Sequence, residues 1–96
     1  MAITETDSYI LIPSHVCFNK KLPDGAKILY GEILLLSQKD GFCWATNNYF
    51  AKKRGVSKNT ISRWVQALTE EGLITTKMEK NEDGAFSGKR FILMIE

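Results

Sequence analysis

In residues 26–38, Ile28, Leu29, Ile33 and Leu36 fall at helical spacing, and Leu34 and Leu35 widen the apolar arc beyond one narrow stripe. That pattern predicts a helix covered on more than one side, by the core and an N-terminal arm, with a seam between two copies as the alternative. The arm is the short apolar run at residues 9–12, which reads as a short strand or an extended arm ended by Pro13. Leu22-Pro23-Asp24-Gly25 is a turn signal before the helix, and Lys39-Asp40-Gly41 closes it. Phe42-Cys43-Trp44 forms a brief extended piece.

Two further helices are bounded by their own chemistry. Thr46 stands at an N-cap position, where its hydroxyl can accept from an unpaired N–H of a short helix reaching about Arg54. Gly55 stops that helix, since a residue without Cβ takes the left-handed conformation at no steric cost. Ser57 caps the next helix, which runs to about Glu71 before Gly72, and Val56 and Ile61 have the spacing of a hydrophobic staple. Residues 73–80 and 90–95 favour strands. The nine residues 81–89 between them carry turn chemistry and predict a protruding loop rather than a tight turn.

Residues 47–66 read N-N-Y-F-A-K-K-R-G-V-S-K-N-T-I-S-R-W-V-Q, the spacing of a helix-turn-helix. Ala51 is small where the helices cross, and Val56, Ile61, Trp64, Val65 and Leu68 point inward. Lys58, Asn59, Ser62, Arg63 and Gln66 are then left on the outer face of the second helix. These are side chains able to donate to guanine O6 and N7 or to pair with adenine N6 and N7. Ser57 and Thr60 are short hydroxyls beside the free N–H groups of that helix, a place that favours phosphate, and Thr46 and Asn48 are their counterparts on the preceding helix.

Charge sharpens this picture. The 96 residues carry a net charge of +2, but no acid lies between Asp40 and Glu70, a window that holds Lys52, Lys53, Arg54, Lys58 and Arg63. Such a run is a solvated face in most proteins, so its position on the fold decides its meaning. In the loop before the last strand, Glu82 and Asp83 would repel phosphate at the tip. Contact there is assigned to the flanking Lys89 and Arg90, with Lys80 beside them.

The helix-turn-helix, the L-I-T-T-K that follows Gly72 and the hairpin beyond resemble the winged helix-turn-helix family over about residues 26–95. The patterns A-K-I-L-Y-G-E-I-L-L-L-S, G-F-C-W-A-T-N, G-V-S-K-N-T-I-S-R-W-V and L-T-E-E-G-L-I are similar to the N-terminal DNA-binding domain of replication initiators and replisome organisers of phages and plasmids of Gram-positive bacteria. Transcription regulators share part of them. The resemblance implies duplex DNA binding, with the helix from Ser57 in the major groove, the wing on backbone or minor groove, and contacts at Ser57, Lys58, Asn59, Thr60, Ser62 and Arg63.

Other chemistry finds little support. With 44% apolar and 25% charged residues, a chain of this length builds one modest core and no large catalytic cavity. Cys17 and Cys43 lack the companions of a metal set, and His15 near Cys17 has neither a positioned base nor further ligands. No glycine-rich phosphate loop occurs. Trp44 and Trp64 could stack on a base, but core packing is the default for both, as it is for Phe86 in the loop.

The expectation is therefore an α+β winged helix-turn-helix. It has a three-helix core, a C-terminal β-hairpin wing and a short N-terminal strand, with residues 1–8 flexible and 9–96 forming a single domain. It is expected to bind double-stranded DNA in the cytoplasm as the origin-binding domain of a replication initiator. It performs no catalysis, and takes no cofactor or metal. The alternatives are a transcription regulator and a protein-docking winged helix without DNA binding. A homodimer, further domains of a longer chain, and replisome proteins are the partners to consider; no membrane is among them.

Overall fold

A computed structural model describes residues 9–95, and of residues 86 and 87 the backbone alone. The expected flexibility of residues 1–8 and the expected packing of Phe86 lie outside the described residues. Four helices precede two strands: α1 (Ser14–Cys17), α2 (Asp24–Ser37), α3 (Asn47–Arg54), α4 (Lys58–Glu70), β1 (Ile74–Lys80) and β2 (Phe86–Met94).

The arm departs from expectation. Residues 9–12 pair with no strand, and Pro13 opens a helix instead of only ending an extended run. The Pro13 carbonyl accepts from Val16 N at 3.0 Å and Cys17 N at 2.9 Å, which makes α1. Proline suits that place because its fixed φ, here −58°, matches a helix entry and its missing N–H leaves no donor unpaired. The arm still covers α2: a Cβ at Gly31 would collide with the Ile10 side chain.

The core-facing stripe of α2 is Ala26, Leu29, Tyr30, Ile33 and Ser37, one face at helical spacing, and Gly31 and Glu32 beside it are buried as well. Ile28 and Leu36, expected inside, are 38% and 37% exposed. Several registers of that leucine-rich run are equally apolar, and Tyr30 wins a core position because its ring buries more area than either. Burial raises the Tyr30 hydroxyl pKa above its ordinary value. No helix among the described residues is long and apolar enough to cross a membrane.

The helix-turn-helix follows its predicted caps. Thr46 Oγ1 accepts from Tyr49 N at 3.1 Å, and Ser57 Oγ accepts from Thr60 N at 3.1 Å. Gly55 turns the chain between them in the left-handed region, φ 70°. Phe50, Ala51, Ile61 and Leu68 then meet Leu29 and Ile33 in the core.

β1 and β2 form the antiparallel wing in the register Ile74↔Met94 to Met78↔Arg90, with an irregularity between Met78 and Lys80. The hairpin is tighter than expected, because β2 begins at Phe86, opposite Lys80. Asn81 N donates to the Ala85 carbonyl and Gly84 N to the Asn81 carbonyl, so the turn satisfies its own backbone. The extended piece at Cys43 adds a single antiparallel bridge: Cys43 and Ile92 exchange both backbone hydrogen bonds at 2.9 Å. Helices on one side of an antiparallel sheet, with the hairpin after the helix-turn-helix, make an α+β winged helix-turn-helix.

Candidate nucleic-acid interface

α4 is strongly amphipathic. Ile61 and Leu68 are buried, and Trp64, Val65 and Ala67 pack partly against the core. At 100° per residue those positions leave one outward arc, on which Asn59 and Gln66 lie centrally, Ser62 and Arg63 to either side of them and Lys58 at its edge. All five are exposed. The arc occupies the N-terminal two-thirds of the helix, and Glu70 marks where its basic character ends.

Hydrogen bonds order this arc from the cap inward. Ser57 Oγ and Thr60 Oγ1 lie 2.9 Å apart, and Arg63 Nη2 donates to Thr60 Oγ1 at 3.3 Å. Ser57, Thr60 and Arg63 thus form a row at three-residue spacing, with the guanidinium held over the first turn of α4. Further along, Gln66 Nε2 donates to Glu70 Oε1 at 3.0 Å, which fixes the amide's direction. On α3, Thr46 is occupied as the cap, while Asn48 and Lys52 are exposed beside it. Lys53 Nζ donates to Tyr49 Oη at 3.0 Å and lies 5.3 Å from that ring's centroid.

Two arginines serve the scaffold. Arg54 Nη1 meets Glu32 Oε1 at 2.6 Å, with the Glu32 side chain 7% and the Arg54 side chain 21% exposed. Its guanidinium carbon also lies 5.2 Å from the Trp64 ring centroid, so one cation ties α2, α3 and α4 together. Trp64 in turn fits against the first turn of α2 only because residue 25 is glycine; a Cβ there would overlap the indole.

Arg90 differs from the outward contact expected of it. Nη1 donates to Asn47 Oδ1 at 2.7 Å and Nη2 to the Ala45 carbonyl at 2.8 Å. The register explains this: Arg90 pairs with Met78 and shares a face with Ile92, which points into the core. Burial lowers the pKa of its guanidinium from the ordinary value. It is a strut between the wing and the start of α3. Lys89, the neighbouring site residue, is exposed and lies 5.8 Å from the Trp44 ring centroid.

Reasoning from the sequence missed Asn47 and Glu32, the partners that hold the wing and the turn. It also placed Trp44 in the core, whereas the indole is 44% exposed. The signal was available: Phe42 with Trp44, and Phe91 with Leu93, alternate around the bridged pair Cys43 and Ile92, so both pairs must face away from the helices.

The fold and these positions define a winged helix-turn-helix, and sequence comparison agrees over its centre. Residues 20–74, more than half of the chain, match the family described as a helix-turn-helix domain, and the chain belongs to that family. No curated protein matches it in sequence. Two solved structures share the fold. One, a possible transcriptional regulator from Methanosarcina mazei Go1, superposes with a TM-score of 0.57 at 13% identity over 78% of this chain and 57% of its own. The other, an N-terminal domain of a DNA binding protein, gives 0.64 at 14% identity over 95% of this chain and 76% of its own. The chain thus spans just over half the length of the first.

Proposed function

We propose that this domain binds duplex DNA by laying α4 in the major groove. The observation that carries the reading is the exposed arc of Lys58, Asn59, Ser62, Arg63 and Gln66 at the N-terminal end of an otherwise inward-packed helix. Arg63, Asn59 and Gln66 have the donor and acceptor sets that discriminate base edges, while Ser57, Thr60 and Lys58 lie where free helix N–H groups favour a phosphate. Thr46, Asn48 and Lys52 take the flanking backbone, and Lys89 the wing contact. Arg90 is left out because both of its Nη groups bond inside the domain.

The finer reading is the origin-binding domain of a phage or plasmid replication initiator, supported by the four sequence patterns quoted above. Transcriptional regulation is the second reading, supported by the shared fold of a possible transcriptional regulator. A single unit touches few phosphates, so paired copies or further domains would supply the remaining affinity. Selection of bound sequences from a random duplex pool tests the proposal. Enrichment of one short motif supports base readout by α4, and loss of selectivity at one position in Arg63→Ala assigns that position. Mapped onto source DNA, clustered repeats of the motif favour an origin, and isolated copies at promoters favour regulation. A pool with no enrichment contradicts sequence reading by this domain.

A further inference from the structure

The outer face of the wing sheet carries an aromatic cluster that the duplex reading leaves unused. Phe42, Trp44 and Phe91 meet pairwise, with ring centroids 5.2, 4.6 and 5.2 Å apart and interplanar angles from 59° to 82°. With Leu93 they line an open concavity of about 290 Å³ made of apolar side chains alone. The rings are not core residues, since the bridge between Cys43 and Ile92 turns its own two side chains inward and these outward. Lys89 lies beside Trp44, and the exposed Lys77 stands directly across from Phe91 in the sheet register.

We propose that this face binds single-stranded nucleic acid, with an unpaired base stacked in the aromatic concavity and Lys77 and Lys89 on the flanking phosphates. Flat apolar rings bordered by cations suit a ligand that alternates flat bases with negative charge. Two of the hairpin's acids, Glu82 and Asp83, sit at its tip; Glu79, two residues from Lys77 in β1, is half-buried beside it at the strand irregularity, so the two lysines outnumber the acid on this face. A second copy docked through the same face would gather the lysines of both wings around one apolar patch, a like-charge cost that a phosphate backbone removes. Lys89 also gives continuity with the duplex interface, so strands separated next to a bound duplex would reach this face.

The test is a titration of the 96-residue chain with a labelled oligothymidylate of about 12 nucleotides at low salt, read by anisotropy and by tryptophan emission. Binding with quenched emission is expected, and Trp44→Leu, which keeps an apolar side chain, should weaken it about fivefold to a hundredfold and abolish the quench. Trp44→Leu should keep its duplex affinity, so a failure here is distinct from a failure of the α4 assignment. Absence of binding, binding without quench, or equal affinity of the variant would overturn the proposal. Self-association that Trp44→Leu abolishes, in a chain that ignores the oligomer, would give the face to a second copy and overturn it as well.

Discussion

Arg90 reaches Asn47 across 43 residues of chain, its Nη1 donating to the amide oxygen at 2.7 Å, and so fastens β2 to the first turn of α3. The second Nη donates to the Ala45 carbonyl, two residues before Asn47. The wing and the helix-turn-helix are therefore one mechanical unit, held by a cation that a charge count assigns to the DNA. Arg90→Ala should cost about 2 kcal/mol, the range for hydrogen bonds made by a charged group. Arg90→Lys should recover little of it, because an ammonium cannot span both acceptors in one plane. Denaturant unfolding measures the loss, and amide exchange should show it first in β2.

Glu32 and Arg54 pose a different problem, since the acid is buried and its partner is partly wet. Removing one side of a fully buried pair costs about 3 to 5 kcal/mol, and the exposure of Arg54 reduces that to about 2. Arg54→Ala should therefore destabilise more than Glu32→Gln, which leaves only the partly wet guanidinium without a counter-charge, still able to donate to the amide oxygen. Thermal unfolding of the two variants side by side gives the order; the reverse order would contradict an uncompensated carboxylate.

Gly25→Ala should destabilise by about 1 to 3 kcal/mol, although alanine is the better helix former, because the new methyl would occupy space held by the Trp64 ring. A blue or red shift of tryptophan emission in the folded variant would report the displaced indole. An unchanged or raised unfolding midpoint would show that the indole yields without cost.

Cys43 is buried, and burial raises its thiol pKa above the ordinary value, outweighing the Ala45 backbone and Arg90, which lower it. The neutral thiol is thus the folded form. A raised folded pKa makes its contribution fully present below the unfolded value of about 8.5, to be lost as pH climbs through the folded value. Stability should be flat with respect to this group at neutral pH and decline on the alkaline side, with Tyr30 adding to the decline in the same direction. Thiol titration at neutral pH should find Cys17, which is exposed, reactive at once, and Cys43 reactive only on unfolding.

Local chemistry explains which of these features the sequence already disclosed. Thr46, Gly55, Ser57 and Gly72 act on neighbours one to four residues away, so their caps and turns were readable, as was the outward arc of α4, which follows from Ile61 and Leu68 by period alone. Arg90, Asn47, Arg54 and Glu32 were not. Each is polar and reads as surface until its partner, 22 or 43 residues distant, is in place. The N-terminal run failed for a related reason: an apolar stretch before proline is equally suited to a strand or an arm, and only a free sheet edge would have made it a strand. On α2, neighbouring leucines made several faces equivalent, and the aromatic bulk of Tyr30 settled the choice.

The central claim is that α4 reads duplex DNA, and a salt titration of duplex affinity tests it most directly. Anisotropy of a labelled duplex containing the selected site should give log affinity falling with log salt at a slope of roughly −3, about 0.9 for each phosphate met by Lys52, Lys58 and Lys89. Lys58→Ala should weaken every sequence alike and flatten the slope by about 1, whereas Arg63→Ala should cost about 1 to 3 kcal/mol on the selected site and relax one base position. Equal affinity of wild type and both variants at every salt concentration, or no binding at low salt, would contradict the account and leave α4 as a surface for a protein partner.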